Sequence, residues 1–173
     1  MGSEVIDMKK ILSGAALAAF IFLPAYAADT LPNSGTYYVV NCGSNVAVEP
    51  LAATSGQNVF LKDFNQGGLQ KFVLTRKIDP KTKLPTNKYT IKSANEAATL
   101  FLKPFPIVDH TAMIDPTPSV FTFKPSAEGI VVESVAQNGD AMYALPAEPF
   151  VELRFGPKAE DAKYKWKFVK VED

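Results

Sequence analysis

Cys42 is the only thiol and His110 the only imidazole in this 173-residue chain, so a thiolate nucleophile or an imidazole base would have to be one of these two. His110 follows Asp109, and a carboxylate beside an imidazole can orient it as a general base for a serine or for Cys42. Neither a Gly-x-Ser-x-Gly elbow nor a local cysteine-protease signature accompanies the pair. His110 therefore reads as a solvated loop residue, and the chain is not expected to be an enzyme. One histidine and one cysteine, far apart in sequence, fall short of a zinc set, and no dinucleotide or phosphate-loop pattern is present. No metal and no cofactor are expected. Cys42 has no second cysteine to pair with and is expected to behave as a small buried hydrophobe.

Groups that bind are better represented than groups that react. The segment RKIDPKTKLPTNK (76–88) gathers Arg76, Lys77, Lys81, Lys83 and Lys88 around two prolines. Its plain reading is a solvated basic connector, and its functional reading is a binding loop that the prolines hold extended, reducing the entropy lost on binding. A second basic candidate is Lys103 in LKPFPIVD (102–109), where the following proline would resist cleavage of the Lys103–Pro104 bond. Trp166 has a face that suits a pyranose, but it ends a strand that repeats elsewhere with phenylalanine and is expected in the core.

The elements that must carry these residues follow from periodicity. Beyond Thr30 no stretch keeps helical spacing, and short β-branched and aromatic runs alternate with Gly, Pro, Asn and Asp clusters. Three comparable units open with GTYYVVN (35–41), NKYTIKS (87–93) and EGIVVES (128–134). Alternation places Tyr38 and Val40, Tyr89 and Ile91, and Ile130 and Val132 on one face. All three units close alike, with QKFVL (70–74), SVFTF (119–123) and KWKFV (165–169), aligning Phe72 with Phe121 and Trp166. The third strand of the second unit, expected around Pro104 to Asp109, is proline-rich and poorly formed. Three four-stranded units, none able to bury its own apolar face, predict an all-β fold, a β-trefoil of three pseudo-repeats.

The run AMYALPAEPFVELRFGP (141–157), with YKWKF (164–168) after it, resembles the mushroom β-trefoil serine protease inhibitors, a cnispin-like group, and SGTYYVVN (34–41) is similar to their opening strand. Plant Kunitz-type trefoil inhibitors present a reactive loop between the fourth and fifth strands. The resemblance thus implies a protease-binding loop of Arg76, Lys77, Lys81, Lys83, Leu84 and Pro85, with Lys83 entering a trypsin-like pocket and Lys103 as the second choice. A further resemblance is to ricin-B-type lectins, whose repeats end in Gln-x-Trp. Gln70-Lys71-Phe72 keeps the Gln, and Lys165-Trp166 keeps the Trp with Tyr164 in the place of the Gln. That resemblance implies carbohydrate binding as the alternative to serine protease inhibition. A structural protein of the envelope is the third reading.

The N-terminus sets the compartment. From Met8, Lys9-Lys10 precede an apolar run to Leu23 that is too short to span a bilayer, and Pro24-Ala25-Tyr26-Ala27 offers small residues for cleavage. A signal peptide over 1–27, translation from Met8 and a bacterial source are expected, leaving 28–173 as one exported domain, periplasmic or secreted. Lysine and arginine number 18 and aspartate and glutamate 18, a balance that gives no electrostatic reason to expect nucleic acid or an anionic membrane as partner, and no membrane anchor is expected. A monomer is expected.

Overall fold

A computed structural model describes residues 30–95, 98–105, 111–147 and 150–172. The signal peptide, the cleavage point at Ala27 and His110 lie outside the described residues. Among the described residues twelve strands follow one another: β1 Gly35–Asn41, β2 Val46–Pro50, β3 Val59–Asp63, β4 Lys71–Ile78, β5 Pro85–Ser93, β6 Phe101–Pro104, β7 Ala112–Asp115, β8 Phe121–Ser126, β9 Gly129–Ser134, β10 Ala141–Ala147, β11 Phe150–Gly156 and β12 Trp166–Lys170. Single 3-10 turns at Gly68–Gln70 and Ala162–Tyr164 lead into β4 and β12.

Six of these strands close on themselves. β1 pairs with β4, β4 with β5, β5 with β8, β8 with β9, β9 with β12, and β12 returns to β1, every pairing antiparallel. Closure removes the open edges that would otherwise template aggregation. The remaining strands form three hairpins, β2–β3, β6–β7 and β10–β11. Their tips meet around one axis: Leu61 of β3 faces Val151 of β11, Asn58 bridges to Met113, and Thr111 bridges to Arg154. A six-stranded barrel capped by three hairpins, one from each unit, is a β-trefoil.

The turns use residues that tolerate left-handed backbone. Asn45 (φ 54°) closes the turn between β1 and β2, and Asn138-Gly139 (φ 51° and 90°) does the same before β10. Most of the buried apolar side chains meet in one core that takes residues from all three units, with two small clusters outside it. Phe72, Phe121 and Trp166 are each fully buried there, as their alignment predicts. Phe123 stacks between Tyr89 and Phe168, at centroid distances of 4.1 and 4.8 Å.

Two sequence expectations need correction. In the first unit the core face carries Tyr37 and Val39, whereas Tyr38 and Val40 point to the outer wall and pack with Ala47, Phe64, Val169 and Val171 in a separate cluster. The run Tyr-Tyr-Val-Val is buried on both faces, so alternation in the sequence could not tell in from out. In the second unit the third strand is Ala112–Asp115, later in the chain than the proline-rich stretch from Pro104 to Asp109. Of that stretch, residues 106–110 lie outside the described residues.

Candidate functional site

The position two residues before each closing aromatic differs among the three units. It is held by Gln70 in the first unit, Ser119 in the second and Tyr164 in the third, all buried. Gln70 is tied into a polar network. Its Nε2 donates to Glu49 Oε2 (3.0 Å) and to the Asp63 carbonyl (2.9 Å), and its Oε1 accepts from the Asn65 N–H (3.1 Å). Glu49 also accepts from Lys62 Nζ at 2.6 Å. Every polar atom of the Gln70 amide is thereby occupied inside the protein, which fits a structural role.

Tyr164 makes a different surface. The ring of Tyr143, on the outer face of β10, stacks on that of Tyr164 with centroids 5.0 Å apart and planes inclined by 28°. Lys163 Nζ lies 5.8 Å from the Tyr143 centroid and 5.5 Å from that of Tyr164, a cation–π geometry that fixes the ammonium beside both rings. Gly156, on the neighbouring strand, has no side chain to block Tyr143; a Cβ there would come within 3.1 Å of Tyr143 Cε1. Directly across β10–β11 from Tyr143 stands Arg154, whose Nε and Nη2 hold Glu152 Oε2 at 2.7 and 2.6 Å. Asp161 accepts from the Lys163 N–H (3.0 Å) and so sets the turn that delivers Tyr164. Below the platform, Lys165 is held by Glu128 Oε2 at 2.9 Å, a hydrogen bond that raises its pKa and keeps it cationic. A half-buried tyrosine beside a guanidinium–carboxylate pair and an ammonium combines an apolar face with polar groups of both kinds at its rim.

The basic segment 76–88 lies between the fourth and fifth strands, but it is a hairpin rather than an extended loop. β4 runs to Ile78 and β5 starts at Pro85, leaving a tight turn between them. Asp79 organises that turn: its N–H donates to the Leu84 carbonyl (2.9 Å), its carbonyl accepts from the Lys83 N–H (2.9 Å), and its Oδ1 accepts from the Lys81 and Thr82 N–H groups at 2.8 and 2.9 Å. These last two bonds hold the Asp79 carboxyl below the usual carboxylate range. Lys83 sits at φ 61°, in the left-handed region, so the proposed specificity residue does not have the extended backbone that substrate-like insertion into a protease cleft requires. Pro80 lies within the turn and Pro85 opens the strand after it, so neither holds an extended loop. Arg76 points back along the strands, donating to the Thr86 carbonyl at 2.5 Å and lying 5.8 Å from the Tyr89 centroid. Lys103 belongs to β6 and is paired with Asp115 at 3.5 Å, so it is sheet surface and not part of a free loop.

Cys42 is half-buried between units. Its thiol donates to the Glu128 carbonyl (3.1 Å), and burial pushes its pKa up. Trp166 is closed off from any ligand, with Nε1 donating to the Met142 carbonyl at 2.9 Å. Among the described residues no group of three or more His, Cys, Asp or Glu side chains could hold a metal.

The sequence matches no protein-family model and no curated protein. Its likeness to known proteins is structural. The Rhizoctonia solani agglutinin is 16% identical, with 82% of this chain and 98% of that one superposed at a TM-score of 0.67. A ricin B-like lectin from Macrolepiota procera, solved with lactose, is 11% identical over 82% of this chain and 99% of its own, at a TM-score of 0.63. A mosquitocidal holotoxin is 15% identical and superposes with a TM-score of 0.68 over 82% of this chain, which spans only 18% of the toxin. At these identities the likeness establishes the β-trefoil fold, and a trefoil serves both as a whole chain and as part of a larger one.

Tyr143, Glu152 and Arg154 were missed as site residues in the sequence because they sit inside strands read only for fold. The available signal was Tyr164, an aromatic where the first unit has Gln70, which asks for an aromatic neighbour on the same face.

Proposed function

We propose that this chain is an exported carbohydrate-binding β-trefoil that acts by binding rather than catalysis, with its principal site on the third unit around Tyr143. The observation that carries the reading is the Tyr143–Tyr164 stack flanked by Lys163 and by the Arg154–Glu152 pair. The C–H face of a pyranose packs on an aromatic ring, while its hydroxyls need donors and acceptors at the ring's edge. Arg154 and Lys163 supply donors, and Glu152 supplies an acceptor whose orientation its ion pair already fixes. The lectins among the structural neighbours support the same reading, one of them solved with a bound disaccharide. Serine protease inhibition loses its main support with the turn conformation of Lys83.

A glycan array probed with the purified protein tests the proposal. Retention of a defined glycan is expected, with Tyr143→Ala weakening it by about tenfold or more through loss of the aromatic contact, while thermal unfolding changes little. Export is tested by mass spectrometry of the protein recovered from periplasm or medium, which should begin at Ala28. If no glycan is retained and a serine protease is inhibited in a manner abolished by Lys83→Ala, the inhibitor reading replaces this one.

A further inference from the structure

The balance of charge over the whole chain conceals a local excess. Residues 76–88 carry five cationic side chains against the single carboxylate of Asp79, a local charge of +4, so the rest of the chain carries the compensating negative charge. Every residue from Lys77 to Lys88 except Asp79 and Thr86 is exposed, so this hairpin stands out from the barrel. Its apex is apolar as well as basic. Ile78 is 53% exposed and Leu84 64%, and Ile78 faces Pro85 across the β4–β5 ladder with Leu84 next to Pro85 in the chain, so exposed apolar side chains share the tip with the exposed Lys77, Lys81, Lys83 and Lys88. Single exposed aliphatics are ordinary on protein surfaces, but a clustered pair at a projecting tip is not. The tip is also rigid, held by the Asp79 turn and by Thr86 Oγ1 donating to the Lys77 carbonyl at 2.8 Å, so little order remains to be paid on docking.

We propose that this hairpin docks the protein on an anionic phospholipid surface, with Ile78, Leu84 and Pro85 entering the headgroup region and the lysines lying against the lipid phosphates. Charge complementarity selects the partner's sign, and shape selects its kind. A convex apolar tip needs a matching groove on a protein, whereas a bilayer yields around it. The cations are mostly lysines, compact and strongly hydrated charges suited to diffuse attraction, and the one arginine, Arg76, is engaged with Thr86 and Tyr89. The negative remainder of the molecule would turn the hairpin toward such a surface.

Cosedimentation with vesicles of phosphatidylcholine alone and of phosphatidylcholine mixed with phosphatidylglycerol tests this. Neither carries a glycan, so the outcome is independent of the carbohydrate reading. The protein should pellet only with the mixed vesicles. Lys81→Ala with Lys83→Ala should weaken partitioning by about thirtyfold, on a scale of roughly fivefold per lysine. Leu84→Asn should lower the fraction still bound in high salt, and both variants should melt as the parent does, because the changed side chains are exposed. Failure of the parent to pellet with mixed vesicles overturns the proposal. So does unchanged partitioning of Leu84→Asn, which would mean that charge alone is read, or a stable protease complex lost on Lys83→Ala, which would assign the tip to a protein.

Discussion

Gln70 and Tyr164 occupy matching places yet solve different problems. A buried amide must find partners for its oxygen and its nitrogen, and Gln70 finds them in the Asn65 N–H, the Asp63 carbonyl and Glu49. Glu49 in turn is buried and depends on Gln70 and Lys62 for its two oxygens. Truncating Gln70 would leave Glu49 Oε2 and the Asn65 N–H without partners and open a void beneath the first hairpin. Gln70→Ala is therefore expected to cost about 1–3 kcal/mol, the penalty for leaving a buried polar group unmet. Urea unfolding measures it, and a loss under roughly 0.5 kcal/mol would show that the network adds nothing beyond its own desolvation. Tyr164 needs no such partners for its ring, which stacks on Tyr143 on the outer face of β10. The Gln of the Gln-x-Trp pattern was legible in the sequence. That its replacement by Tyr164 recruits Tyr143 was not, because the pairing depends on which face of β10 looks outward.

At the scale of elements, the β4–β5 hairpin shows what a sequence pattern leaves open. Two prolines and five cations within residues 76–88 marked the segment as unusual, and its place between the fourth and fifth strands was legible. Its conformation was not, because it depends on one side chain, Asp79, capping two N–H groups that the residue types alone do not assign to it. The first strand misled for a related reason: with Tyr37 to Val40 all buried, register is set by β12 and β4 on either side. The cap on the hairpin turn predicts a pH dependence. Asp79 is partly exposed, and its pKa is lowered because its charged form accepts from the Thr82 and Lys81 N–H groups. A carboxyl with a depressed folded-state pKa contributes above its ordinary value, and the contribution fades as the pH falls through the depressed one. The turn should thus be intact at neutral pH and loosen only in acid. The amide proton shifts of Lys81 and Thr82 should titrate together, with a midpoint below that of an ordinary aspartate. A midpoint at or above the ordinary value would mean that the carboxylate does not hold the turn.

For the molecule as a whole, closure of the barrel is the controlling fact. The threefold echo of closing aromatics was legible in the sequence because Phe72, Phe121 and Trp166 recur at one point of each unit, and the structure brings all three into one core. Each unit opens and closes with strands that pair with both neighbours. β4 meets β5 over six register pairs, β8 meets β9 over six, and β12 meets β1 over five. Within a unit the barrel strands share fewer pairs, four between β1 and β4, two between β5 and β8 and one between β9 and β12. The ladders that join units are therefore longer than those inside them, and no unit can leave without breaking two of the long ones. Cooperative unfolding follows. Trp166, the only tryptophan, lies in the third unit and is fully buried, so its fluorescence reports on that unit's core. Far-ultraviolet circular dichroism reports on strands from all three. In denaturant the two signals should trace one transition with the same midpoint and slope, as for other single domains of this size. Phe121→Ala, in the second unit, should move both curves together by about 3–5 kcal/mol, the usual cost of emptying a buried phenylalanine site. If the mutation shifted the dichroism while leaving Trp166 fluorescence in place, the units would be melting separately and the longer ladders would not be coupling them.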